Sequence, residues 1–222
     1  MKKIIIDARY ESIAQKQWGS RYEIIPSYCN KNLAEPVSFH PDMSLCRVGD
    51  IFVCCPESYD YYKRIITKNL IKGKTELNSH YPNDIAYNVL VYEEVAFGKK
   101  EYIDPVIKEI LKKQNIEIIN INQGYAKCSC AVSDKGIITA DDGIYGELTK
   151  HYIVALKITP GFVELSGYDY GFIGGASGEI DGILTFFGDV SKHPDFENIK
   201  NFCEFDFICD FPLTDVGTIY CI

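Results

Sequence analysis

The chain repeats one order of elements, strand–strand–helix–strand, and that order leaves half a unit over at each end. Nine runs read as strands: KKIIIDA (2–8), YEIIPS (22–27), DIFVCC (50–55), NVLVYEEVAFG (88–98), IEIININ (116–122), CSCAVSDKGIITA (128–140), YIVALKIT (152–159), ILTFFGD (183–189) and GTIYCI (217–222). Each is rich in β-branched or aromatic residues and bounded by Gly, Asp, Asn or Pro. Helix-like runs lie between them. Three begin on proline: PESYDYYKRIITKNL from Pro56, PVIKEILKKQ from Pro105 behind Asp104, and PDFENIKNF from Pro194. Proline suits the first helical position because its missing N–H would be unpaired there anyway, and its fixed φ is already helical. Weaker helices fit ARYESIAQKQ (8–17) and DGIYGELTK (142–150).

Grouped in order, residues 40–79 read as two strands about a turn and a helix that ends the unit, and residues 83–122, 124–160 and 171–212 each read as two strands about a turn, a helix and a closing strand. The tail, 213–222, supplies only a first strand, and the head, 1–35, supplies a second strand, a helix and a third. Joined, the two ends make a fifth copy, so the expected fold is a single α/β domain, a five-fold pseudosymmetric α/β propeller whose fifth unit is closed by both termini. A period of roughly 40–50 residues marks a repeat architecture, and joining the ends removes the open sheet edge that would invite aggregation. An ordinary β-propeller has four strands per blade and no helix. A doubly wound sheet accounts neither for two strands per helix nor for the leftover halves.

Composition narrows the function. A net charge of −8 disfavours a nucleic-acid partner, which needs clustered Lys and Arg, and leaves room for a cationic small molecule. No run is long and apolar enough to span a membrane. The head MKKIIIDARYE turns polar at Asp7, so no apolar signal segment is expected. The nine cysteines then read as free thiols in a reducing cytoplasm. None forms a C-x-x-C pair and the four histidines are scattered, so neither a metal nor a cofactor is expected. GGASG (174–178) lacks the G-x-x-x-x-G-K-[ST] pattern of a phosphate loop, and small residues suit a crowded centre.

In HPDMSLC (40–46), QGYAKCS (123–129), IITADDGI (137–144), GYDYGFIGGASG (167–178) and PLTDVG (212–217) the chain is similar to a bacterial family with no established activity. Its repeat logic resembles the penteins, a superfamily of five-fold α/β propellers. That superfamily includes arginine deiminase, dimethylarginine dimethylaminohydrolase and amidinotransferases, with a non-catalytic branch that includes a ribosome anti-association factor. The resemblance implies hydrolase-like or transferase chemistry at a guanidino or amidino C–N bond. The family enzymes carry their cysteine in the last repeat. Here that place holds Cys221, the penultimate residue, and their His and paired acids have no clear counterpart.

In such a ring the first strand of each unit lines a central channel, and the segments leading into those strands converge. HPD (40–42), PND (82–84), YAKC (125–128), GGASG (174–178) and LTD (213–215) then bring together His40, Asp42, Asn83, Asp84, Lys127, Cys128 and Asp215. Cys128 reads as the nucleophile, His40 as the proton donor to the leaving amine, and Asp84 as a third catalytic group. Asp42, Asn83, Lys127 and Asp215 would bind substrate, with Tyr168 walling the entrance; carboxylates match the fork of a guanidinium. Blander readings stand beside these. His40-Pro41-Asp42 can cap a turn, Lys127 can be an internal counter-ion, and Cys128 shares its strand face with Cys130, so both can be core. The alternative function is a non-catalytic ring that binds a small ligand or a protein.

Overall fold

In a computed structural model, which describes residues 1–208 and 210–222, the head carries β1 (Lys3–Ile6), α1 (Glu11–Trp18) and β2 (Glu23–Pro26). Next come α2 (Pro41–Ser44), β3 (Leu45–Val48), β4 (Ile51–Cys54), α3 (Tyr59–Tyr62) and β5 (Leu70–Lys72). The middle holds β6 (Leu90–Tyr92), β7 (Val95–Gly98), α4 (Pro105–Lys113) and β8 (Glu117–Asn120), then β9 (Cys130–Val132), β10 (Ile137–Thr139), α5 (Asp142–Lys150) and β11 (Ala155–Lys157). The last part is β12 (Ser177–Ile180), β13 (Ile183–Phe186), α6 (Phe196–Phe202), β14 (Phe205–Phe207) and β15 (Ile219–Cys221). None of the helices among the described residues is long and apolar enough to cross a membrane.

One pairing pattern recurs. β3, β6, β9 and β12 each run antiparallel to the next strand, which pairs in parallel with the strand behind the helix. The chain ends follow suit: β15 is antiparallel to β1, with Ile4 opposite Cys221, and β1 is parallel to β2. β15 also pairs in parallel with β12, so these last two sets form one six-stranded sheet.

Two helix starts follow the sequence signals: Asp104 caps α4 by accepting from Val106 N at 2.8 Å, and Asp141 caps α5 by accepting from Ile144 N at 2.8 Å. The helix expected from Pro194 begins instead at Phe196, behind Asp195. A second expectation fails. The run from Pro56 stops being helical after Tyr62, and its end, Leu70–Lys72, is the strand β5 beside β4. Asn69, with φ at 59°, turns the backbone into that strand.

The apolar residues gather in clusters that each join two neighbouring sets. Val48 and Val53 pack with Val89 and Ile107. Leu90 and Phe97 pack with Cys130 and Ile144. Ala131 and Ile138 meet Leu184 and Ile199, Ile180 and Phe187 meet Ile4 and Trp18, and Ile5 and Tyr220 meet Leu45 and Tyr62. Each set thus buries one side against the set before it and the other against the set after it.

A circuit of hydrogen bonds joins the segments leading into the first strands. Asp42 N donates to Gly217 O at 3.0 Å, Thr218 N to Gly175 O at 2.8 Å, and Gly175 N to Cys128 O at 2.8 Å. Cys128 N donates to Asn88 Oδ1 at 3.1 Å, and Asn88 Nδ2 reaches Asp42 O at 3.4 Å, back at the start. Four of the five segments contribute backbone groups alone; the fifth acts through the Asn88 side chain, which also accepts from Lys127 N at 2.9 Å. Asn88→Ala would leave two inward backbone N–H groups without an acceptor. The expected loss in urea denaturation is roughly 2–4 kcal/mol, the scale for two stranded buried donors; a loss below about 0.5 kcal/mol, the size of an ordinary surface substitution, would mean the circuit is incidental.

Candidate functional site

The groups this circuit gathers lie two or three residues ahead of a first strand. Asp42 sits in α2, whose N-cap is His40 and whose first residue is Pro41. Cys128 sits in the turn before β9, where Ser129 N bonds Tyr125 O and Cys130 N bonds Lys127 O. Gly175 and Gly217 stand at the corresponding places before β12 and β15. A Cβ on Gly175 would strike the Asp215 carboxylate, and one on Gly217, at φ +63°, would strike the His40 side chain. These glycines make room for the two groups behind them. Asp215 is fixed by Phe172 N at 2.8 Å and Gly217 N at 3.0 Å.

At the centre the Cys128 thiol donates to Asp42 Oδ2 at 2.9 Å and accepts from Asn88 Nδ2 at 2.9 Å. Cys128 is 4% exposed and Asp42 0%. Burial, then the nearby Asp42 and Asp215 carboxyls, push the thiol well above its ordinary pKa, so the resting group is S–H. Burial also raises Asp42 to about 6, and burial with the neighbouring Asp42 raises Asp215 to about 7. Lys127 opposes both shifts; its ammonium donates to Thr218 Oγ1 at 2.9 Å. Among the described residues, Asp42 Oδ1 is buried with no hydrogen-bond partner.

His40 is sealed between two carboxyls. Its Nδ1 lies 3.7 Å from Asp215 and its Nε2 3.8 Å from Asp7, whose charge is taken by Arg9 at 2.6 Å. Burial, reinforced by Arg9, lowers its pKa to about 3, so the ring is neutral. This changes the expected role: at neutral pH His40 has no imidazolium proton to give, whereas Asp42 and Asp215 hold protons in the useful range.

The remaining expected residues divide. Asp84 is buried beside the cluster but reaches it only through Tyr125, whose hydroxyl donates to Asp84 Oδ2 at 2.6 Å. Asn83 is exposed and bonded within its own turn, to His80 O and Asn78 N, so it is not brought to the cluster. Tyr168 is 51% exposed in the loop before β12, on the Tyr125 side. Cys221 lies in β15 and lines a separate cavity of about 440 Å³ with Lys2, Lys68 and Asp181. The alternation that paired Cys128 with Cys130 does not apply, because the strand begins at Cys130; Cys130 packs in the core while Cys128 turns toward Asp42. Asn88 is the functional residue the sequence reasoning missed. Counting back from the apolar run VLVY would have found it; the polar PND drew attention instead. Among the described residues no three His, Cys, Asp or Glu side chains are grouped as metal ligands.

The chain belongs to a family of unknown function (DUF6873), whose model matches residues 5–220. No curated protein matches it. Among solved structures it is similar to DDAH from Pseudomonas aeruginosa, a cysteine-to-serine mutant complexed with citrulline. The identity is 8% and the TM-score 0.59, over 94% of this chain and 92% of that one. It is also similar to a dimethylarginine dimethylaminohydrolase adduct with 4-chloro-2-hydroxymethylpyridine, at 9% identity and TM-score 0.55 over 95% and 93% of the two chains. A histidine-to-glycine variant's adduct with S-methyl-L-thiocitrulline gives 8%, 0.59, 94% and 93%. The chain therefore has their mixed α/β, pentein propeller-like fold.

The raised Asp42 has a sign that stability measurements can read. A carboxyl whose folded pKa, about 6, lies above its unfolded value binds more protons in the folded state, so its contribution is full at low pH and is lost as pH rises from about 4 through 6. Asp42→Asn removes that loss and still offers Oδ1 to the thiol. Its stability relative to the native chain should therefore climb between pH 4 and 7, in urea denaturation at each pH. A flat difference would mean Asp42 titrates as an ordinary aspartate.

Proposed function

Taking the family and fold as premises, we propose that this chain is a hydrolase or transferase acting on a guanidino- or amidino-type C–N bond of a small cation, with Cys128 as nucleophile. We read its three-stranded sets as five units about a pseudo-five-fold axis, the fifth built from residues 213–222 and 1–35, in one domain. The shared cores and the hydrogen-bond circuit support that reading. The observation that carries the function is the Cys128 thiol donating to Asp42 Oδ2 while Asp42 Oδ1, equally buried, has no partner among the described residues. A guanidinium N–H is the kind of donor that oxygen lacks.

The cation would approach from the side of Asp84, Tyr125 and Tyr168 and settle against Asp42 and Asp215. Its charge offsets the two carboxyls that hold the thiol pKa up. The Sγ proton passes to Asp42, Sγ bonds to the amidine carbon, and the C–N bond breaks as the leaving amine takes a proton from Asp42 or Asp215. Water, or a second amine in a transferase, then attacks the S-bound carbon. The thiolate leaves and recovers the proton that the attacking group sheds. Neutral His40 positions Asp215 rather than donating, and Asn88 Nδ2 steadies the sulfur as it gains charge.

The buried, raised thiol favours a second reading, a ring that binds a cation without turning it over. Chloroacetamidine and iodoacetamide separate the two. At pH 7.5 the amidinium reagent should alkylate Cys128 selectively and roughly ten-fold or more faster than the neutral one, as expected when a bound cation lowers a thiol pKa by about a unit. Asp42→Asn should erase the preference, as read by peptide mass mapping. Uniformly slow labelling of all thiols by both reagents would remove the cysteine mechanism.

A further inference from the structure

Lys127 has a second side that the proposed chemistry does not use. It lines a cavity of about 450 Å³ that runs along the first strands, from Ser177 and Thr218 at their start to Gly49 and Glu93 at the hairpin turns. That volume lies within the range of small-molecule sites. Val89, Leu90, Val91, Val132 and Ile219 give it an apolar stripe, beside the polar Gln114, Ser177 and Thr218. The rim carries Arg47 together with Glu93 and Glu179, one positive charge against two negative, so positive charge inside the cavity is supplied by Lys127. An ammonium has three N–H donors, and Thr218 Oγ1 takes one of them. The cavity thus has a cationic floor, a greasy shaft and a mixed rim.

We propose that this cavity is a second ligand site, for a small carboxylate with an apolar body, whose anionic end pairs with Lys127 while its hydrocarbon lies against Val89, Val91, Val132 and Ile219. A cation is disfavoured here by Lys127 itself, so the site is distinct from the cationic one proposed around Asp42. A ligand without charge would leave the floor unmatched. A larger anion bearing several charges would set the rest of its charge against the valines and leucine. The assignment stands on the cavity and its lining and needs no turnover at Cys128. It has a consequence for that site nonetheless. Lys127 is the ammonium that favours ionised Asp42 and Asp215, and a carboxylate paired with it weakens that field. Both carboxyls then hold their protons more firmly, and binding draws protons from solution near pH 6–7.

The test is calorimetric titration of the full chain with benzoate, benzamide and benzamidine, which share a ring and differ in charge. Benzoate is expected to bind at least ten-fold tighter than the other two, with a heat that changes between two buffers of different ionisation enthalpy because protons are taken up. Lys127→Met should abolish the preference for benzoate. Since Lys127 also balances two buried carboxyls and that variant can fail to fold, Val132→Trp, which fills the shaft and keeps the ammonium, should abolish binding while leaving chloroacetamidine labelling of Cys128 unchanged. Equal affinity for the three probes, no benzoate binding, or undiminished binding in Val132→Trp would overturn the assignment. None of those results bears on Cys128, whose labelling is read separately.

Discussion

Everything at the centre of this molecule depends on five lead-in segments meeting closely enough to hydrogen-bond in a circuit. Buried backbone groups must be paired, and here each segment satisfies the next: Asp42 to Gly217, Thr218 to Gly175, Gly175 to Cys128, Cys128 to Asn88, Asn88 to Asp42. Such proximity leaves little space. It forces glycine at 175 and 217, where a Cβ would meet Asp215 or His40. It also explains why residues 86 positions apart, Cys128 and Asp42, share a hydrogen bond. The site is a by-product of the constraint that holds the fold, so substitutions that disturb one disturb both. Only side chains already embedded in the circuit, Asn88 above all, carry that double duty.

The electrostatics follow from the same crowding. Two carboxyls and a thiol are buried around one ammonium, and a second cation, Arg9, is spent on Asp7 behind His40. Burial raises Asp42 to about 6, and burial followed by the neighbouring Asp42 raises Asp215 to about 7, with the one ammonium only partly opposing both shifts. That shortfall of positive charge gives the cluster two unlike sides. On one side Asp42 Oδ2 meets the Cys128 thiol; on the other the Lys127 ammonium meets Thr218 and lines the cavity toward the hairpins.

The mixed α/β element order was largely legible because it rests on local chemistry: β-branched runs bounded by turn residues, and a proline behind Asp104 at a helix start. The partners inside the centre were only half legible. Asp42, Lys127, Cys128 and Asp215 do come together, since each stands close before its strand. Asp84 misses the register because β6 starts at Leu90, and the offset that matters is measured from the strand, where Asn88 stands. The neutral state of His40 was out of reach, because it depends first on the ring's complete burial and then on Arg9, which also pairs with Asp7. The false helical stretch at 63–70 has a simpler cause: Ile65, Ile66, Thr67 and Asn69 are weak helix formers, and the run's end at Leu70 is drawn into pairing with β4.

A shared fold is weak evidence for a shared reaction, since one architecture hosts many sites. What bears on reaction here is which thiol the structure brings to the centre. Cys221, at the end of the chain where the resemblance led one to look, is built into the β1–β15 ladder opposite Ile4 and faces a different cavity from Lys127. Cys128 comes from the turn before β9 instead and finds a carboxyl and an amide around it. The thiol that meets a carboxyl at the centre therefore comes from the turn before β9 and not from β15. Segments remote in sequence meet in one hydrogen-bond circuit, so a thiol placed on one of them can stand beside a carboxyl placed on another without a change in fold.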